Sequence, residues 1–166
     1  MGEIMNDLDE LRRVIALYGP LLDDGRFEDW GQLFAVDAEW ISVPGIHRPG
    51  SGNSGNTGSN PQTWTVRGRD QIVAQVRSVT EPLRQEGKAR GLHFSGPPVI
   101  DVAGDRAHAL WDFIIMHITR DAISASNTGR YYSRFAKLDG RWRFTQRVSV
   151  QHGATLPPGL RPLPGA

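Results

Sequence analysis

The chain has 166 residues, 39% of them hydrophobic and 22% charged, which is typical of one globular domain and too apolar for global disorder. Its formal net charge is +1 and it has no basic run, so we expect no nucleic-acid partner. The absence of cysteine excludes disulfides, thiolate metal sites and a cysteine nucleophile.

The beginning of the chain shows no targeting signal. The segment Met1 to Asp9 is acidic and lacks the charged and apolar regions of a signal peptide. No apolar run approaches the ~20 residues that a bilayer-spanning helix needs. We therefore expect a cytoplasmic protein with no membrane partner.

Three segments carry apolar residues at helical spacing. The first runs from Leu8 to Leu22 and predicts a helix of about four turns that Pro20 ends or kinks. A turn at Asp23 to Phe27 leads to a short second helix from Glu28 to Phe34. The third helix is predicted from Gly68 to Gln85.

Between the second and third helices, the segment from Pro44 to Asn60 consists mostly of glycine, serine and asparagine. This composition predicts a long flexible loop, which is either a disordered insert or a lid over a site. We favour the disordered insert, because a loop of this length needs no function to be tolerated. The tail from Leu156 to Ala166 is rich in proline and glycine and is expected to run over the surface.

The remaining segments alternate with the period of a strand. Strands are predicted at Ala38–Val43, Leu92–Phe94, Pro98–Val102, Arg106–Ile118, Thr128–Leu138 and Trp142–Gln151. Tight turns are predicted at 103–105 and 139–140. Helices followed by a run of hairpin strands predict an α+β domain with helices on one face of an antiparallel sheet.

The predicted strand Arg106–Ile118 is apolar on both faces. One face carries Trp111, Phe113, Ile115 and His117, and the other carries Leu110, Ile114 and Met116. A sheet with one wet face would show polar residues on one parity. One face should therefore cover the helices, and the other should line either an internal cavity or a dimer interface.

Four polar residues lie within or next to the predicted apolar helix and strands: Tyr18, Asp23, His93 and His117. Taken singly, each has a structural explanation, because polar groups near a core are usually just hydrogen-bonded. Tyr18 fits a core aromatic, Asp23 a turn residue, and the two histidines fit strand positions. The other histidines, His47, His108 and His152, are interpreted as loop, outward strand and tail residues.

Together, these four residues resemble the scytalone dehydratase and SnoaL-like group. The resemblance also rests on Gly91-Leu92-His93-Phe94, Met116-His117, Gly129-Arg130-Tyr131 and the hairpin from Leu138 to Phe144, and it covers roughly Leu8 to Val150. It implies one domain over residues 1–166 with a cone-shaped α+β barrel. In this fold three N-terminal helices pack on a strongly curved, mixed, mostly antiparallel sheet that encloses a pocket.

The resemblance also implies a catalytic site inside the cone. His93 would be the base and Asp23 would orient it, while His117 and Tyr18 would donate hydrogen bonds. The pocket would also be lined by Trp40, Phe113, Ile115 and Tyr131. Two positions where scytalone dehydratase has Ser and Asn hold Gly129 and Tyr131 here, so we expect a substrate other than scytalone.

These residue types are sufficient for acid–base chemistry without a cofactor or a metal. An imidazole can take a proton beside a carbonyl, and a carboxylate on its other nitrogen fixes the tautomer. The sequence therefore predicts a cofactor-independent lyase, dehydratase-like, or an isomerase. Its substrate would be a hydrophobic oxygenated ring or a polyketide-like molecule.

Two other functions remain open, because one fold can host many. One is a non-catalytic binding or scaffold protein, and the other is the small subunit of a ring-hydroxylating oxygenase. The presence of both Asp23 and His93 favours the enzyme, since a binding module does not need that pair. The resemblance further implies a homodimer or a homotrimer.

Overall fold

The computed structural model describes residues 6–45, 63–85 and 90–160. Most of the predicted loop, from residue 46 to 60, lies outside the described residues, as do the last six residues of the tail. The helices are α1 (Asp7–Asp23), α2 (Phe27–Gly31) and α3 (Arg69–Gln85). The strands are β1 (Phe34–Val43), β2 (Trp64–Arg67), β3 (Arg90–Ser95), β4 (Val99–Ala103), β5 (Arg106–Ile118), β6 (Ile123–Leu138) and β7 (Arg141–Gln151).

Helix α1 continues through Pro20 and ends at Asp23, so of the two predicted effects of Pro20 the termination of the helix does not occur. A proline ring removes one helical hydrogen bond. Here Pro20 lies on the exposed side of α1, while Leu21 and Leu22 in the next turn are buried. Their burial against the core stabilises the last turn, so Asp23 is a helical residue and not part of the predicted turn.

Helix α2 is shorter than predicted and starts earlier. It begins at Phe27, inside the predicted turn, and ends at Gly31. Phe34 is the first residue of β1 and not the end of the helix. Trp30 and Phe34 are both fully buried, as the helical spacing predicted, because both face the same core.

The strands form one seven-stranded sheet in the order β2-β1-β7-β6-β5-β3, with β4 also paired to β5. Strands β1 and β7 run parallel, and the other pairs are antiparallel. This confirms the predicted mixed, mostly antiparallel sheet. Strand β2 was not predicted, because its four residues are mostly exposed and show no alternation of apolar and polar residues.

The helices cover one face of the sheet, here called the inner face, which carries Trp111, Phe113 and Tyr131. All three side chains are buried in the main core together with residues of α1, α2 and α3. On the opposite, outer face, Val148 and Val150 form a small second cluster against the tail. One face of β5 therefore packs on the helices, as predicted, and the structure shows that it is the face with the odd-numbered residues.

A β-bulge interrupts the pairing of β6 with β7 between Arg134 and Phe135. Strand β7 carries the extra residue, Thr145, so the alternation of its side chains shifts by one position. After the bulge, Arg147 shares the inner face with Phe144, and both side chains are fully buried. Simple alternation along β7 would have placed Arg147 on the outer face.

Candidate active site

The centre of the candidate site is a pair formed by Asp23, the last residue of α1, and His93, in the middle of β3. The Nδ1 atom of His93 lies 2.5 Å from Oδ1 of Asp23. The backbone N–H of His93 also donates to Oδ2 of Asp23 at 2.8 Å. The side chains are 7% (Asp23) and 14% (His93) exposed. The structure thus brings together the two residues that the sequence predicted to pair.

This geometry decides which nitrogen of the imidazole can react. A carboxylate accepts hydrogen bonds, so the Nδ1 atom facing Asp23 carries a proton. In the neutral imidazole, Nε2 is then the acceptor, with its lone pair available. Because the carboxylate also accepts the backbone N–H of His93, neither group can rotate without losing a hydrogen bond. The pair can therefore present a fixed base.

Close packing at the end of α1 supports this arrangement. A Cβ atom at Gly19 would lie 3.0 Å from the carbonyl oxygen of His93, so a glycine lets α1 approach β3. From the other side, Arg84 of α3 donates to the carbonyl oxygens of Asp23 and Asp24, the latter at 2.9 Å. These contacts hold the last turn of α1 against β3 and α3.

Tyr18 lies five positions before Asp23 on α1 and packs edge-to-face with the ring of His93, with ring centroids 6.3 Å apart at an angle of 76°. The side chain is buried, and burial raises the pKa of Tyr18, although the charge of Arg147 acts in the opposite direction. Tyr18 is therefore a neutral phenol at physiological pH and can serve as a hydrogen-bond donor.

The predicted lining residues are distributed along the inner face. Tyr131 stacks on Phe113, with ring centroids 3.9 Å apart and an interplanar angle of 15°. Burial raises the pKa of Tyr131, as it does that of Tyr18. Ile115 is the register partner of His93 and packs against the main core. Trp40 lies further along the sheet on β1 and packs against Trp64.

His117 is the register partner of Gly91, two positions along β3 from His93. Paired positions project to the same side of a sheet, so the two histidines lie on one face, as their parity predicted. His117 makes no hydrogen bond to another described residue, whereas His93 is held by Asp23. Within residues 6–45, 63–85 and 90–160, His117 therefore has no partner that would fix it as an acid.

Two surface grooves, of about 500 and 590 Å³, lie elsewhere, between α2 and α3. They are lined by charged residues such as Glu28, Arg77 and Glu81. None of the predicted site residues lines either groove. Their open, charged walls differ from the apolar enclosure that ligand pockets usually offer.

Sequence analysis missed Arg147, whose guanidinium is fully buried on the inner face. Its Cζ atom lies 3.6 Å from the ring centroid of Tyr18 and 3.5 Å from that of Tyr131. The cation is thus placed between two tyrosine rings, an arrangement that suits a guanidinium. No acidic residue in the described parts of the chain pairs with it.

Several buried polar atoms have no hydrogen-bond partner within the described part of the structure. On the sheet they are Nε1 of Trp40, Oγ of Ser133 and the three guanidinium nitrogens of Arg147. Nε1 of Trp30 on α2 and Nε of Arg77 on α3 share this property. Buried polar groups are rarely unpaired, so the concentration on the inner face marks this region as unusual.

Two further observations concern metals and membranes. Within residues 6–45, 63–85 and 90–160, no three histidine or acidic side chains converge as metal ligands. No helix in these ranges is long and apolar enough to cross a bilayer.

Proteins of known structure share this architecture. None of the curated proteins matches the chain. Among solved structures, an NTF2-like protein with a cystatin-like fold from Novosphingobium aromaticivorans is 25% identical, with a TM-score of 0.71. That match covers 90% of this chain and 84% of the other.

Two other structures from the same organism share the fold. One is provisionally named a scytalone dehydratase, with 19% identity, a TM-score of 0.65 and coverage of 93% of this chain and 95% of that one. The other is the beta subunit of a protein provisionally named an aromatic-ring-hydroxylating dioxygenase, with 24% identity, a TM-score of 0.64 and 89% coverage of both chains. The model of the SnoaL-like domain matches residues 3–148, so the chain belongs to the SnoaL-like family.

Proposed function

We propose that this protein is a cofactor-independent lyase or isomerase that acts on a hydrophobic, oxygenated ring or polyketide-like molecule. The observation that carries the proposal is the buried pair of Asp23 and His93, which leaves Nε2 of the imidazole as a base. The apolar side chains beside it, such as Phe113 and Ile115, suit a hydrophobic substrate. Membership of the SnoaL-like family supports the same reading.

The reaction begins with removal of a proton from a carbon beside a carbonyl group. Nε2 of His93 takes this proton, and the electron pair of the broken C–H bond forms an enolate. Asp23 balances the positive charge that the imidazole gains. In an isomerisation the imidazolium of His93 returns the proton to another carbon. In a dehydration it gives the proton to a hydroxyl group on the neighbouring carbon, which leaves as water while the enolate electrons form the new C=C bond.

The second requirement is a group that stabilises the oxygen on which negative charge develops. The neutral phenol of Tyr18 lies beside the imidazole and can donate a hydrogen bond to that oxygen. The buried guanidinium of Arg147, whose Cζ atom lies 3.6 Å from the ring centroid of Tyr18, supplies a positive charge in the same region. A preorganised donor in a dry site stabilises such charge more strongly than water does.

The first experiment measures proton abstraction and does not require the natural substrate. 2-Tetralone, an apolar bicyclic ketone with acidic C–H bonds, is incubated with the protein in deuterated water. Deuterium incorporation is followed by mass spectrometry. We expect the wild type to accelerate exchange and His93→Ala to remove most of the acceleration. Asp23→Asn should lower it on the order of a thousandfold, because an amide does not hold the productive tautomer.

The chain offers a matched control in a second histidine–aspartate pair on the surface. Nε2 of His108 lies 3.0 Å from Oδ2 of Asp101, but the two side chains are 59% and 45% exposed. His108→Ala should retain the wild-type exchange rate, and a chelator should not change it. Near-wild-type exchange by His93→Ala would contradict the mechanism. Absence of acceleration by the wild type would instead support a non-catalytic binding protein.

A further inference from the structure

We infer that Trp40 and Ser133 are substrate-binding residues on either side of Arg147. Together the three residues would hold a substrate that carries several acceptor oxygens, at least one of them acidic. This inference rests on the proposed function and extends it, since it names a chemical property of the substrate.

The pairing of the strands places the three residues in one row. Trp40 on β1 is the register partner of Arg147 on β7, and Arg147 is the register partner of Ser133 on β6. Side chains at paired positions project to the same face of a sheet. Arg147 and Ser133 are buried there, and Trp40 packs against the same core. We call Trp40, Arg147 and Ser133 the donor row.

Each member of the donor row has buried polar atoms without a partner in the described residues. An unpaired buried group costs stability, and most proteins avoid it. Three such residues at consecutive register positions have a simple common explanation. A ligand that lies along the row would supply the missing partners to all of them.

The chemistry of the row defines what that ligand must offer. An indole N–H and a guanidinium can only donate hydrogen bonds, and a hydroxyl can do so as well. The ligand must therefore present acceptors, such as carbonyl, phenolic or carboxylate oxygens. The buried charge of Arg147 has no acidic partner in the described residues, which favours an oxygen that carries negative charge.

Residues of the same types elsewhere on the sheet are paired and provide controls. The hydroxyl of Ser149, two positions after Arg147, donates to the carbonyl oxygen of Ile41 at 3.5 Å. Nε1 of Trp142 donates to Oδ1 of Asp7 at 3.0 Å. The missing partners are thus a property of the donor row and not of every buried serine or tryptophan in the sheet.

The first test is the thermal stability of the protein without ligand. Because removal of an unpaired hydroxyl relieves a desolvation penalty, Ser133→Ala should have a Tm at or above that of the wild type. Trp40→Phe also loses packed ring volume, so its Tm should fall, but less than that of Trp142→Phe. Ser149→Ala and Trp142→Phe each lose a hydrogen bond and should have a lower Tm. A decrease for Ser133→Ala as large as that for Ser149→Ala would overturn the inference.

The second test measures the affinity for 1-hydroxy-2-naphthoate, an apolar bicyclic molecule with two kinds of adjacent oxygen. By isothermal titration calorimetry, we expect the wild type to bind it. Ser133→Ala and Trp40→Phe should each weaken binding about two- to tenfold, the usual effect of one neutral hydrogen bond. Trp142→Phe should bind like the wild type. Unchanged affinity in both row variants, or no binding by the wild type, would overturn the inference.

The two proposals can fail separately. 2-Tetralone has a single oxygen, so its exchange rate depends on His93 and not on a row of acceptors. If exchange requires His93 while the naphthoate results are negative, the acid–base function stands and the donor row is structural. If the row binds the naphthoate but no exchange occurs, the site binds oxygenated ligands without the proposed chemistry.

Discussion

Two buried tyrosines, Tyr18 and Tyr131, surround the guanidinium of Arg147 and determine how the site responds to alkali. Burial raises the pKa of both phenols, because the ionised form would have to lose its hydration. The nearby positive charge lowers these pKa values again, but less strongly. Both residues are therefore neutral hydrogen-bond donors across the physiological range and not phenolate bases.

This shift predicts a loss of stability in alkali. An unfolded tyrosine ionises near pH 10, whereas the folded phenols keep their protons to a higher pH. Above about pH 10 the unfolded state therefore binds fewer protons, so the free energy of unfolding falls as the pH rises. Urea unfolding between pH 8 and 11 should show this slope, and Tyr131→Phe should reduce it. An equal slope in the wild type and in Tyr131→Phe would contradict the prediction.

At the level of single residues, the sequence predicted the pair of Asp23 and His93 but not the donor row. The Asp23–His93 pair could be predicted because each residue lies in a segment that resembles a known family. Arg147 was hidden by the bulge at Thr145, since alternation counted from Phe144 points the arginine outward. Ser133 carries no signal by itself, because a single serine in a strand is ordinary. A buried polar atom without a hydrogen-bond partner can be recognised only when the positions of the neighbouring strands are known.

Among the secondary structure elements, β5 was predicted with its observed bounds, Arg106–Ile118, because a long, mostly apolar run between turn residues gives a strong signal. The start of β6 was placed at Thr128, although the strand begins at Ile123. Its first residues are exposed and, apart from Ile123, small or polar, so they give only a weak strand signal. Elements that bury a complete face are thus easier to predict than edges and ends.

Gly129 in β6 lies so close to strands β5 and β7 that no side chain fits there. A Cβ atom at Gly129 would lie 2.2 Å from the carbonyl oxygen of Val150 and 2.9 Å from Cε1 of Phe113. Backbone atoms cannot yield as a flexible side chain can, so Gly129→Ala should destabilise the protein by about 1–3 kcal/mol. Urea denaturation would measure this change.

The matching control is another strand glycine. A Cβ atom at Gly91 in β3 would meet nothing within 4 Å. Because alanine loses less backbone entropy on folding, Gly91→Ala should be neutral or stabilise by up to about 1 kcal/mol. Equal destabilisation by the two alanine substitutions would show that strand glycines act through something other than contact with Val150.

For the whole molecule, the predicted class and architecture are confirmed, with helices on one face of a curved mixed sheet. The sequence also showed that both faces of β5 are apolar. The structure shows that the two faces differ in what covers them. The inner face is covered by the helices, whereas apolar residues remain exposed on the outer face. Phe94 and its register partner Ile114 are 59% and 39% exposed, and Leu92 is 39% exposed.

These outer residues agree with the expectation that the protein is a homodimer or a homotrimer. Contiguous exposed apolar surface is frequently an association site. Light scattering should give a mass that is two or three times 18.4 kDa, and Phe94→Glu should reduce it. Val36→Glu changes another exposed apolar residue, on β1, and should leave the mass unchanged. A mass of 18.4 kDa for the wild type at micromolar concentration would contradict the expectation.

The parallel pairing of β1 with β7 has a consequence for the order in which the protein folds. It joins Trp40 to Arg147, more than a hundred positions apart along the chain, whereas β6 and β7 are joined by a short hairpin turn. Contacts between distant segments form slowly, because the entropy of closing the intervening chain is lost before the contacts are gained. The hairpins can form early, but the binding surface is complete only when the first strand docks on the last. Recovery of ligand binding during refolding should therefore lag behind recovery of strand content.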